Sequence, residues 1–148
     1  MKPEKLHELV NYCQEFANTM LSDSGDFYPF GAAMGADEKA RAVGAHNGME
    51  HPDPRELYRL VTTTFSAEAA DGKVAAAAIA SNVTIPSQYT CECRDGIRVQ
   101  LETEGFARFI YFPYRLTNTG LFRKKIDVAV FEPFSVEIPA SIFVSKSV

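Results

Sequence analysis

Tryptophan is absent from this chain of 148 residues, cysteine occurs only three times, and 15 Lys and Arg face 19 Asp and Glu, a net charge of −4. Each shortage removes a class of function. Without a basic surplus there is no stripe to neutralise phosphates, which speaks against nucleic acid as a partner, and no polybasic segment for an anionic membrane. No apolar run approaches the roughly 20 residues that cross a bilayer. The opening MKPEKLHELVNYC lacks the apolar stretch of a signal peptide. The expected location is the cytoplasm, where thiols stay reduced. Cys13, Cys91 and Cys93 form an odd set with neither CxxC nor adjacent histidines, so no zinc ribbon or thioredoxin-like centre is expected. GxSxG, P-loop, GxGxxG and kinase-type motifs are missing as well.

What remains is the composition of a globular domain, 46% hydrophobic and 23% charged. A chain of this length buries about 68–70% of its unfolded surface and needs neither metal nor disulfide to fold. One domain over residues 1–148 is expected. The charge is unevenly spread: residues 1–74 hold 7 basic and 12 acidic side chains, residues 75–148 hold 8 and 7. Nine of the seventeen Phe and Tyr lie at or after Phe106. An acidic, more helical first half therefore precedes an aromatic, strand-like second half.

Leu6, Leu9, Val10, Cys13, Phe16, Ala17, Met20 and Leu21 recur at steps of three and four and predict a helix, with Pro3 in its first turn. His7 falls off that stripe and Cys13 on it. Two short apolar runs around residues 35–39 predict a β-hairpin. Asp53-Pro54-Arg55-Glu56 has the pattern of a helix start, and Leu57, Leu60, Val61 and Phe65 give that helix a buried face. Residues 73–85 carry an alanine run of high helix propensity. They follow a helix stop at Asp71-Gly72 and end at a proline, so a strand buried on both faces is expected. From Tyr89 strict alternation predicts a strand with Cys91 and Cys93 on one side, interrupted at Asp95-Gly96. Ile97, Val99 and Leu101 then alternate with Arg98, Gln100 and Glu102. A tight turn at Glu104-Gly105 leads into a strand over residues 106–116. Phe122, Ile126, Val128 and Val130 alternate again, and Phe134, Val136 and Ile138 suggest a short final strand.

The order α-β-β-α-β-β-β implies an α+β domain of two layers, an antiparallel sheet of about five to six strands packed with two helices. In element order it looks like profilin-like and roadblock-type folds, a likeness that carries no function. Phe27-Tyr28-Pro29-Phe30-Gly31, His51-Pro52, the alanine-rich strand at 76–80 and Pro113-Tyr114-Arg115 form a spaced set. This set resembles a group of small bacterial proteins of unknown function that share an FYPFG-type hairpin, an HP before a helix and a PY pair. The resemblance spans roughly residues 5–116. It implies a bacterial, cytoplasmic protein and no activity.

Three groups of side chains could carry chemistry. His46, Glu50, His51 and Asp53 are ligand types that transition metals use. Their spacing is not HExxH, no PCxxC follows for a deaminase, and Asp53 serves as a cap, so no metal and no cofactor are expected. Cys91 and Cys93, two apart on an extended strand, would lie too far apart for a disulfide. Tyr28, Tyr111, Tyr114 and Arg115 combine phenols with a guanidinium beside prolines and could line a ligand pocket.

No catalytic set is readable, and the balance leans away from an enzyme. The expected function is a non-catalytic protein-interaction module, its acidic half suited to a basic partner. The alternative is a small-molecule-binding protein or small enzyme using the His46/Glu50/His51 loop. The strand at 106–116 is apolar on both sides, so one face needs a cover: the C-terminal segment around residues 134–143, or a second copy. Pro133 and Pro139 tilt that expectation toward a homodimer.

Overall fold

The computed structural model describes residues 1–44, 50–120 and 125–144. Its elements are α1 (Pro3–Ser24), β1 (Phe30–Met34), β2 (Ala40–Val43), α2 (Pro54–Ala70), β3 (Ala76–Thr84), β4 (Asp95–Thr103), β5 (Phe106–Asn118), β6 (Ile126–Val130) and β7 (Phe134–Glu137). The seven strands form one antiparallel sheet in the order β2-β1-β3-β4-β5-β6, with β7 also paired to β5. The α+β class is the one expected, and the expected order α-β-β-α-β-β-β continues with two further strands. The two helices pack on opposite faces of the sheet, which makes three layers in place of the expected two. Phe122 lies outside the described residues.

α1 forms because its apolar residues fall on one stripe, and Leu9, Val10, Cys13, Ala17 and Leu21 are buried along it. It stops at Gly25, which adopts φ 80° and returns its N–H to Leu21 O at 2.8 Å. Only glycine takes that left-handed conformation without cost. α2 begins where its cap predicts: Asp53 Oδ1 accepts from Arg55 N at 2.9 Å and Pro54 opens the first turn. It ends in a Schellman-type closure, Lys73 N donating to Glu68 O at 2.9 Å around Gly72 at φ 73°.

The alanine run becomes β3 because the sheet needs its narrow side chains. Ala76, Ala78 and Ala80 pack with α1, while Ala77 and Ile79 pack with Val61 and Phe65 of α2. Residues of opposite parity point to opposite faces of a strand, so α1 and α2 lie on opposite sides and each face has a helical layer of its own. Gly31 in β1 shares this constraint. A Cβ there would come within 2.6 Å of the Phe65 ring, so glycine lets α2 close on the sheet.

β5 is long enough to serve two edge partners. Residues 108–111 pair with β7 and residues 114–118 with β6. Pro113, which has no N–H to donate, falls at the changeover, and its carbonyl accepts from Phe131 N at 2.8 Å. On the face of β5 carrying Phe109 and Tyr111, the chain's own C-terminal segment adds a neighbouring strand, with Val136 beside Phe109 and Phe134 beside Tyr111. Phe134 stacks on Tyr111, and Ile142 is 1% exposed against Val61, Phe65 and Ile79. The C-terminal segment thus runs beside β5 as β7, only four residues long, and then reaches the α2 layer.

Residues 89–94 are not a strand. Ile85 N donates to Arg94 O at 2.7 Å, and Arg94 Nη1 donates to the carbonyls of Pro86 and Tyr89 at 2.9 and 2.8 Å. These bonds close residues 86–94 into a loop, so the alternation there has no partner strand. Asp95 and Gly96 begin β4 in regular register with Thr84 and Val83 and make no bulge. Gly96 is required by Ile85, whose Cγ1 would lie 2.7 Å from a Cβ at that position.

Candidate functional site

α1 is the one described helix on its face of a wide sheet, and it does not cover the strip over β5. Between its first three turns and the strands lies a groove of about 610 Å³. Leu6 and Val10 of α1 form one wall, Leu101, Phe106, Ile110 and Phe112 the floor, and Pro133 the far side. His7, Asn11, Thr103 and Glu104 supply its polar groups. The alternation of β5 places Phe106, Ile110 and Phe112 on this face, and the sharp turn at Gly105, φ 76°, brings Glu104 to the end of the groove. Its concave, mostly apolar lining with few polar groups has the composition common to small-molecule and peptide sites. It offers no nucleophile and base held in hydrogen-bond reach, which acid–base or covalent chemistry would need.

The residues singled out from sequence are dispersed. Tyr28 is exposed at 47%, and Glu50 and His51 are exposed as well. His46 lies outside the described residues. Tyr111 is buried on the α2 side, stacked on Phe134 with centroids 5.1 Å apart. Tyr114, three residues on, points to the α1 side and donates to Asn82 Oδ1. Arg115 is exposed, its guanidinium carbon 5.4 Å from the Phe131 ring centroid. The four pocket candidates therefore do not converge on one face.

Tyr114 belongs to a different constellation. Asn82 passes the bond on through Nδ2 to Asp26 Oδ1 at 2.7 Å, and Asp26 Oδ1 also accepts from Phe27 N at 2.8 Å. This chain pins the connection after α1 to β3 and β5. It flanks a polar hollow of about 360 Å³ that Thr84 and Asp95 also line. Burial, and then the nearby Asp95 carboxylate, push the Tyr114 phenol up to about 12. A phenol so placed stays protonated at neutral pH and acts as a fixed donor.

Two of the thiols, Cys13 and Cys93, are equally quiet. Burial pushes Cys13 up to about 12. It also raises Cys93, against the opposing pull of the Arg115 guanidinium. All three cysteines are free, and Cys91 and Cys93, half-buried on the loop, direct their Sγ atoms at the carbonyls of Cys93 and Tyr114, each at 3.0 Å. Among the described residues, no three His, Cys, Asp or Glu side chains gather as metal ligands. No described helix is long and apolar enough to cross a membrane.

The apolar groove residues were missed because each has the character of a core residue. Its one sequence-level trace is an imbalance: a single helix ahead of β1 must cover the whole apolar side of β4 and β5. The chain matches no protein-family model, no curated protein and no solved structure.

Proposed function

We propose that the protein is a non-catalytic interaction module that seats an apolar segment of a partner protein in the groove between α1 and β5. The observation that carries this reading is the groove itself, an apolar floor of Leu101, Phe106, Ile110 and Phe112 beside the α1 wall. Laying an apolar helix or strand against such a floor is a recurrent mode of peptide recognition, with the buried side chains supplying affinity. The dispersal of the polar candidates supports binding over catalysis. The excess of acidic side chains in residues 1–74, 12 against 7 basic, suits a basic partner by charge steering.

The test is quantitative co-purification from the native host with the full-length chain. Ile110→Glu, which places a charge on the groove floor, is expected to lower recovery of a stoichiometric partner at least about tenfold while the thermal melt stays cooperative. Recovery of the same partner in unchanged yield contradicts the proposal. A groove of about 610 Å³ also matches the volume of a single small apolar ligand, which gives a second reading. Native mass spectrometry separates the two, since a bound small molecule lost in Ile110→Glu, with no partner protein, supports the second.

A further inference from the structure

Arg98 lies on the opposite face of the sheet from the groove, in a cluster whose nearby acceptors are neutral phenols. Its guanidinium carbon is 4.3 Å from the Phe109 ring centroid and 5.2 Å from that of Tyr58. Two aromatic rings on different elements thus hold the planar group in place, and cation–π attraction offsets part of its desolvation. Among the described residues no carboxylate forms an ion pair with it. Arg98 Nε and the Tyr58 hydroxyl oxygen are both buried without a well-aligned hydrogen bond, although the guanidinium lies close enough to the Tyr58 and Tyr111 hydroxyls to favour their ionised form. Tyr111, directly across the strand pair from Arg98, brings a second phenol to the cluster.

Glu102, on the same strand, cannot serve as the missing anion. It accepts from Gln100 Nε2 and from the backbone N–H groups of Ser141, Ile142 and Phe143. Burial keeps both phenols in the hydroxyl form, with Arg98 pulling the other way. A guanidinium has five donors and no acceptor; the phenols can take some of these bonds, but among the described residues no anion balances its charge. Phe109, Tyr111, Phe134 and Tyr89 form a contiguous aromatic group beside it, with centroid separations of 5.1–6.1 Å. Arg98 and Tyr58 keep partial exposure, which leaves the cluster within reach of solvent.

We propose that Arg98, with the hydroxyls of Tyr58 and Tyr111, binds the oxyanion of a small molecule whose apolar or aromatic body lies against Phe109 and Phe134. A carboxylate and a phosphate offer the same recognition chemistry to a guanidinium, and the experiment distinguishes them. Benzoate and inorganic phosphate are titrated separately into the full-length protein, following the arginine Nε–H and Gln100 amide resonances by NMR. A saturable shift with a Kd of about 10 mM or tighter is expected for one probe or both. Benzoate alone assigns a carboxylate and phosphate alone a phosphoryl group.

Arg98→Lys, which loses the planar fork, is expected to weaken binding at least about tenfold. Tyr58→Phe keeps the ring and removes only the hydroxyl, so it tests the site in a folded protein, with an expected loss of about threefold or more. Silence of the Arg98 and Gln100 resonances with both probes up to about 20 mM overturns the proposal. So does undiminished binding in Tyr58→Phe and Arg98→Lys.

Discussion

Removing the Glu102 carboxylate is expected to release the C-terminal segment from the α2 side of the sheet. Glu102 is fully buried, yet no cationic side chain pairs with it among the described residues. Its charge is met by three consecutive backbone N–H groups, Ser141 at 3.1 Å, Ile142 at 2.9 Å and Phe143 at 3.3 Å. Successive N–H groups that converge in this way form an anion-binding concavity, here filled by the chain's own side chain. In Glu102→Ala each stranded donor would cost about 1–3 kcal/mol if it stayed buried. The segment can instead peel away and rehydrate, which caps the loss near the burial it forfeits, about 1.5–3 kcal/mol for Ile142 with a smaller share for Phe143. A net destabilisation of about 2–4 kcal/mol is therefore expected, a large fraction of a typical domain's 5–15 kcal/mol. Urea unfolding gives the magnitude, and amide hydrogen exchange locates it: protection of Ile142 and Phe143 should collapse while that of β3 and β4 persists. A variant within about 0.5 kcal/mol of the parent, or one with Ile142 still protected, would refute the reasoning.

Three further outcomes follow from the packing and the caps. Asp53→Ala should cost about 0.5–2 kcal/mol by freeing the Arg55 N–H at the start of α2, and an unchanged melting curve would contradict that cap. Gly31→Ala forces a methyl group to within 2.6 Å of the Phe65 ring and 2.9 Å of Val61 Cγ1, so a loss of about 1–3 kcal/mol is expected in urea unfolding. Folding raises Cys13 from 9.0 to about 12 and Tyr114 from 10.0 to about 12. Both are neutral when protonated, and in this window the folded state holds protons that the unfolded state has lost. Their contribution to stability is complete below pH 9 and disappears as the pH rises toward 12. Cys13→Ala should remove the part of the alkaline decline that begins near pH 9, which a pH series of melting temperatures would register.

Sequence patterning carried the elements whose stability is local. α1 follows from its stripe and α2 from Asp53-Pro54. β3 follows from the logic that a tight alanine strand admits a helix on each face. Residues 89–94 misled because alternation records only that a segment could be extended. Whether it pairs depends on a partner strand, and Arg94 closes that stretch on itself instead. The row Arg98, Gln100 and Glu102 reads as the polar side of β4, yet Gln100 is 3% exposed and Glu102 fully buried. Their partners arrive from residues 141–143, about forty positions away, and no local pattern encodes that. Both proposed binding surfaces share this property. The groove pairs α1 with β5 across about a hundred residues, and the Arg98 cluster joins α2, β4 and β5. Tyr111 was grouped with the Arg115 guanidinium, but the guanidinium across the strand pair from it is Arg98, while Arg115 lies at the β6 end.

The groove is tested most directly by a photoreactive phenylalanine analogue at Ile110, irradiated in the native host, with the same analogue at exposed Arg59 on α2 as the control. The account predicts a single protein adduct from position 110, its cross-linked peptide apolar by mass spectrometry. It also predicts that Val10→Glu on the facing wall abolishes the adduct and that position 59 yields none. No adduct from position 110, or the same adduct from both positions, would contradict it.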